Sequence, residues 1–301
     1  MKRMMFGTSL AMVAVLTTSP AQADQIPDKV AAMIQAAADT GNAATLKTVA
    51  DLAKKTNPQS AAEIDAMVAS IQNKVEAKRL AKLRSQSFFE GWKGHGQAGG
   101  SIATGNTSSK GLSLGLDLTK NGIHWRHTIN ATFDYARQNG QTAQKRYFAS
   151  YEANYKFSDR FYALGLVSWE NNRFAGFNRR FSENIGLGYS VIKQPDMTLD
   201  LEGGPALRQT NYITGESQNE LAGRAAVDYS WKIAPGITFG ENATYYAQAH
   251  DSTLTSTTAL TMKLNGALSL QTSFLINHET NPPIDLEKTN TLSRLTLVYG
   301  F

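Results

Sequence analysis

The chain contains no cysteine in 301 residues. Disulfide frameworks and thiolate metal sites are excluded, and no cysteine follows the start to carry a lipid anchor. Long hydrophobic runs are missing too: beyond the first residues, nothing approaches the roughly 18 uncharged apolar residues that a membrane-crossing helix needs. If this chain crosses a bilayer, it does so as strands. The formal net charge of +5 includes two basic residues near the start, and no long basic stripe suits a phosphate backbone, so nucleic acid is not an expected partner. From Asp24 to Ser87 there is no aromatic residue at all.

Lys2 and Arg3, the apolar stretch Met4 to Leu16, and the small-x-small run Ala21-Gln22-Ala23 have the layout of a secretory signal peptide over 1–23. Residues 24–87, rich in Ala, Lys, Gln and Asp, read as helices. Pro27 opens a first helix with Val30, Met33, Ile34 and Ala37 on one face, ending near Gly41. Leu46, Val49, Leu52 and Ala53 mark a second, stopped by Asn57-Pro58. Ser60 and Glu63 form a capping box for a third, whose apolar face is Ile64, Met67, Val68, Ile71 and Val75. Its basic end, Lys78, Arg79, Lys82 and Arg84, reads as a solvated helix terminus or as a contact for anionic headgroups. A small helical periplasmic segment is expected.

Over 88–301 the texture changes to alternating Gly, Thr, Ser, Asn, Tyr and Leu, which reads as about 12 antiparallel up-and-down strands. Leu112, Leu114, Leu116 and Leu118 alternate with Ser113, Gly115 and Asp117. Trp125, Ile129, Ala131, Phe133 and Tyr135 alternate with Arg126, Asn130, Thr132 and Asp134. A β-sandwich alternates as well, so direction needs further argument. Lys120-Asn121-Gly122, Ser158-Asp159-Arg160, Lys193 to Asp196, Ala234-Pro235-Gly236 and Asn265-Gly266 read as tight turns. Between them Thr104 to Gly111, Gln138 to Lys145, Asn171 to Arg180, Gln209 to Asn219, Gln248 to Thr257 and Glu279 to Thr289 read as longer polar loops. Turns on one side and loops on the other, with an even strand count, fit an all-β membrane barrel. Aromatics on the apolar face, among them Trp125, Tyr155, Tyr162, Tyr189, Trp231 and Phe239 toward the turns and Phe133, Tyr147, Tyr245 and Phe274 toward the loops, would form two interfacial belts. His127 and Glu241 are misfits on that face, pointing to a local slip or bulge.

The last strand, with Leu295, Leu297, Tyr299 and Phe301 on one face, resembles the C-terminal sorting signal of outer-membrane barrels. Trp92-x-Gly94, Thr104-Gly105-Asn106-Thr107, Trp169-Glu170-x-x-Arg173-Phe174-x-Gly176, Gly186-Leu187-Gly188-Tyr189 and Glu202-Gly203-Gly204-Pro205 together resemble the salt-induced outer membrane protein family, defined by a domain of unknown function. Ala206 departs from the glycine expected after the proline. The resemblance implies an outer-membrane barrel recognised by the assembly machinery and lying among lipids and lipopolysaccharide. It supplies no reaction and no cofactor.

A barrel phospholipase would need a His with a Ser two positions on, but Thr128 and Ile129 follow His127. His250-Asp251 and His278-Glu279 are sequence neighbours, which point to opposite faces of a strand. His95, His124, His127, His250 and His278 lie on separate segments, so no metal set is expected. Loop acids Glu216, Asp251, Asp285 and Glu287 read as solvated, in preference to holding divalent cations that bridge lipopolysaccharide.

What remains is the lumen. Alternation places Lys93, Arg126, Asp134, Glu152, Lys156, Glu202, Arg208, Arg224, Asp228, Lys232, Lys263 and Arg294 on its wall. Twelve strands fall between a barrel filled by side chains and an open channel. A narrow pore or envelope barrel for small solutes is expected; a lipid- or peptide-cleaving barrel enzyme and a closed structural or adhesion barrel are the alternatives. Cations gather toward the turn-side mouth, which would favour small anions.

Overall fold

The computed structural model of the chain describes residues 25–104, 109–138, 141–283 and 286–301. The leader read over 1–23, Asp24, the Gly105-Asn106-Thr107 portion of the second motif and Asp285 lie outside the described residues. The chain divides into two compact units, Met1–Lys82 and Leu83–Phe301.

The first unit is built from α1 (Asp28–Asp39), α2 (Ala43–Thr56), a 3-10 turn at Pro58–Ser60, and α3 (Ala61–Ser85), which runs through the division. Its core is Ile34, Ala37, Leu46, Ala50, Ala53 and Ile64, backed by Val30, Val49, Met67, Val68 and Ile71. These are the positions that a 3.6-residue period puts on one face of each helix. Asn42 caps α2, its Oδ1 accepting from the Ala44 and Thr45 backbone N–H groups. The expected capping box does not form. Glu63 Oε2 instead accepts from the Ile26 backbone N–H at 3.0 Å, tying the start of the unit to α3, while the 3-10 turn carries the chain into α3. Beyond Ile71 the helix leaves that core, and Val75 is exposed.

The second unit is a closed barrel of twelve antiparallel strands in sequence order, with the first paired to the last. They are β1 (Lys93–Thr104), β2 (Ser109–Asn121), β3 (Trp125–Gln138), β4 (Gln141–Lys156), β5 (Phe161–Asn172), β6 (Phe177–Lys193), β7 (Met197–Tyr212), β8 (Ser217–Ala234), β9 (Ile237–Ala247), β10 (Thr253–Lys263), β11 (Leu268–Glu279) and β12 (Thr289–Gly300). Closure leaves no strand edge along the wall, which is what a bilayer demands of a sheet. The five tight turns fall where the sequence puts them.

The long loops do not. Only residues 139–140 separate β3 from β4, 173–176 separate β5 from β6, and 213–216 separate β7 from β8; the stretch 280–288 alone is long. Residues read as loop are strand tips. A tilted strand crosses the hydrocarbon in about 9–11 residues, whereas β4, β6, β7 and β8 run 16, 17, 16 and 18. The surplus is polar because it stands in water, and polarity alone cannot distinguish a wet strand from a loop.

The outer face carries the exposed apolar side chains Leu112, Leu114, Val167, Ile185, Leu187, Leu221 and Leu297. Aromatic pairs mark both rims: Trp125–Tyr155 and Phe161–Tyr189 at 5.1 and 4.6 Å toward the turns, Phe133–Tyr147 at 4.8 Å toward the loops. Tyr162 is a correction. It is not part of the outer belt but 5 % exposed on the inner face, because Phe161 takes the outer place and strict alternation turns its neighbour inward. A Cβ on Gly188, directly opposite on β6, would stand 2.2 Å from the Tyr162 ring. That glycine leaves the room in which the ring lies.

His127 and Glu241 stay on the outer face without any slip of register. His127 Nδ1 is 2.9 Å from the Tyr151 hydroxyl, and its ring stacks between Trp125 and Tyr151. Glu241 accepts from Ser256 and Thr258 hydroxyls at 2.6 and 2.5 Å. Local hydrogen bonds thus offset the cost of a polar group there.

Candidate functional site

Residues paired across an antiparallel ladder share a face, so the register fixes which charges look inward. Arg294 is level with Ser101 and Ser273, Asp134 with Ser113 and Arg146, Arg208 with Ser182 and Glu220, and Arg224 with Gly204 and Tyr246. Glu152 faces Thr128 and Leu166, Glu202 faces Gly188 and Ala226, and Asp228 faces Asp200 and Asn242. Arg126, Lys156, Lys232, Lys263 and Lys93 continue the same face toward the turns, pairing with Asn154, Tyr162, Thr238, Ser269 and Thr119. Contacts between strands far apart in the ring establish that this face is the interior.

Toward the turns, Arg126 on β3 reaches Asp200 on β7 at 3.7 Å and lies 5.1 Å over the Tyr162 ring. Tyr162 donates to Glu202 at 3.0 Å, and Arg224 donates to the other oxygen of the same carboxylate at 3.0 Å. Asn154 donates to Glu152, and Asn242 to Asp228. At the mouth, the Lys156 and Lys232 ammonium groups donate to the Gly122 and Pro195 carbonyls of neighbouring turns, and His95 lies 3.3 Å from Asp117.

Toward the loops, Asp134 is fully buried and receives Arg294 through a two-pronged contact at 2.9 and 2.8 Å, although β12 and β3 are separated by two strands. Ser113 adds a hydroxyl donor. Arg146 approaches Asp134 at 3.6 Å and holds Glu170 at 2.7 Å, giving a four-membered cluster of two bases and two acids. Higher still, Arg180 grips Glu279 at 2.7 and 3.3 Å. β6 and β11 stand five places apart in a ring of twelve, so this pair straps one wall to the other. Thr210 and the Phe177 ring complete the surroundings of Arg180, and Thr253 donates to Glu279. Arg208 donates to Thr253 and Gln248 and lies 4.4 Å over Tyr246. Asp251, in the β9–β10 connection, accepts from the Asn281 backbone N–H at 2.9 Å. Burial pushes its carboxyl up to about 7, and the Glu279 carboxylate beside it adds to the rise.

Arg146, Glu170, Arg180 and Tyr162 belong to this interior and were not among the wall residues expected from sequence. For Arg180 the reason is the over-read loop from Asn171 to Arg180: it stands on a strand tip, in phase with lumen residues farther down. Of the outward histidines, His127 is followed by an inward Thr128, and His278 bonds the Thr289 hydroxyl. His250 pairs with Glu220 at the loop end. Among the described residues, no group of three or more His, Asp or Glu side chains is placed to hold a metal. No described helix is long and apolar enough to cross a membrane.

Beside the Arg146–Glu170 pair lies a cavity of about 540 Å³, its open mouth included, lined from β1, β4, β5, β10–β12 and Ala175. Several buried interior atoms have no protein partner: Ser101 Oγ, Asn154 Oδ1, Asn184 Oδ1, and the Nε atoms of Arg208 and Arg224.

Among known proteins, the chain is 24% identical over 210 residues to the uncharacterized protein YdiY of Escherichia coli (strain K12), covering 70% of this chain and 82% of that one. Among solved structures it is similar to the NanC porin (TM-score 0.48, 9% identity, 68% of this chain and 98% of that one). An outer membrane channel from Pseudomonas putida F1 gives a TM-score of 0.45 at 10% identity, covering 69% and 95%. The KdgM porin gives 0.38 at 12%, covering 68% and 99%. The family described as protein of unknown function DUF481 matches residues 96–301, and the chain belongs to it.

Proposed function

We propose that this chain is an outer-membrane barrel that passes small polar solutes through a constricted, charge-lined lumen, with its helical unit in the periplasm. The observation that carries this reading is the reversal of polarity through a single closed sheet. Leu, Val, Ile and Tyr stand exposed outside, while Arg, Asp and Glu pair inside. A soluble protein would bury the first set and expose the second. In a bilayer the first set meets lipid and lipopolysaccharide chains, and the aromatic rims sit at headgroup level. The outward Leu295, Leu297 and Tyr299 on β12, with Phe301 just beyond it, then present the sorting signal to the assembly machinery.

Passage, as against mere containment, is supported by the unpartnered buried polar atoms, because such groups call for water. A wet interior is the requirement for a solute path. The lysines at the turn-side mouth bias ion traffic weakly toward small anions.

Purified barrel in a planar bilayer under a salt gradient tests the reading: small, steady conductance steps with an anion-leaning reversal potential are expected. A correctly folded barrel with no conductance and no swelling of solute-loaded liposomes would refute it. That outcome would select a closed barrel whose loops bind, a reading that the Arg180–Glu279 strap favours.

A further inference from the structure

We infer that the cavity on the loop side of the lumen is a binding site for a small neutral hydroxylated solute, of the class of a polyol or a monosaccharide. The inference rests on the barrel reading above and adds the chemistry of what the lumen holds.

The cavity is small and open to solvent on one side, which suits a molecule no larger than a monosaccharide. Its lining is drawn from both sides of the barrel: Arg146 and Glu170 on β4 and β5, against Thr255 and Asn277 on β10 and β11. Leu275 and Leu292 supply apolar patches between the polar groups. A ring or chain of carbons bearing hydroxyls presents this same mixture, with apolar C–H faces and an edge that both donates and accepts.

Charge separates this class from its competitors. The cavity's charged lining is the Arg146–Glu170 pair, part of a cluster with Asp134 and Arg294 in which each acid is already matched by a guanidinium. The Arg180–Glu279 strap, outside this lining, is likewise neutral as a pair. An anion or a cation entering here would have to unmake an existing ion pair. A neutral hydroxyl can donate to a carboxylate and accept from a guanidinium without breaking either. Asn277 accepts from Thr255 through its carbonyl oxygen, and no described group accepts from its amide N–H donors. Glu279 stands one inward step nearer the loop end than Asn277 on β11.

The test is saturation-transfer NMR on the folded full chain in detergent, with glucose and sorbitol as neutral probes and gluconate and glucosamine as charged analogues of similar size. Transfer to the neutral pair is expected, with much less to the charged pair. Asn277→Leu and the milder Thr255→Val should each weaken binding about five- to tenfold, the loss of one or two hydrogen bonds. No transfer to glucose or sorbitol, preference for a charged analogue, or unaltered binding in both correctly folded variants would overturn the assignment. Ion conductance without sugar binding removes this site and leaves the passage reading intact. Sugar binding in a barrel that conducts nothing removes the passage reading and leaves the site.

Discussion

Replacing Glu279 by Gln should loosen the loop-side half of the barrel. Glu279 and Arg180 side chains are only 3% and 6% exposed, and they meet through two contacts at 2.7 and 3.3 Å. With the carboxylate neutralised, the Arg180 guanidinium keeps Thr210 at 3.1 Å and the Phe177 ring at 4.0 Å, neither of which carries a charge. A buried charge stripped of its partner costs about 3–5 kcal/mol, whereas removing both members together is often close to neutral. Denaturant unfolding of the refolded barrel in micelles, followed by tryptophan fluorescence, measures the difference. The single variant is expected to lose about 3 kcal/mol or more, and the double variant Arg180→Leu with Glu279→Leu to recover most of it. Because the strap crosses between opposite walls, both should also raise single-channel conductance. A single variant within about 0.5 kcal/mol of the parent, or a double variant as damaged as the single, would refute the reasoning.

Three further outcomes follow from the geometry. The Asp251 carboxyl is raised from an ordinary 3.8 to about 7, so the protonated form is the one the fold prefers. Its stabilising contribution is full below about pH 4 and is lost as pH rises through 7, and thermal midpoints should fall over that window and flatten in Asp251→Asn. Gly188→Ala puts a methyl 2.2 Å from the Tyr162 ring and should cost about 1–3 kcal/mol in the same unfolding assay, with Tyr162→Leu in the same chain relieving it. Deleting Phe301, which is outward and exposed, should lower the fraction of heat-modifiable barrel in outer-membrane preparations while leaving refolding into detergent intact.

The faces of the barrel were legible because period-two alternation is a local property. A residue such as Asp134 is inward whatever the rest of the chain does, once Phe133 and Tyr135 are outward. What alternation cannot carry is distance around the ring. Nothing near Asp134 in sequence announces Arg294, 160 residues away, nor does Arg180 announce Glu279. Those partnerships follow from closure of twelve strands, a global fact. Strand ends failed for a different reason: a strand leaving the bilayer loses its apolar face, so Lys145 and Arg180 look like loop residues while the ladder continues through them. Tyr162 misled because an aromatic beside a turn suits the belt, and only the empty place left by Gly188 on the neighbouring strand explains its inward turn. The capping box at Ser60 gave way to a longer-range competitor, Glu63 binding the Ile26 backbone.

The unequal strands have a consequence for how the outside world reaches this protein. β6, β7 and β8 run 16 to 18 residues while β9 to β12 run 11 or 12. β8 begins pairing with β9 only at Gly223, so the backbone ladder of its first residues is with β7 alone. The parapet is therefore high along one arc and low along the other, like the lip of a jug. In the proposed pore, solutes enter over the low arc, where Glu279 ends β11. Any antibody, phage or sugar chain that grips the protein from the exterior will meet the tall arc first.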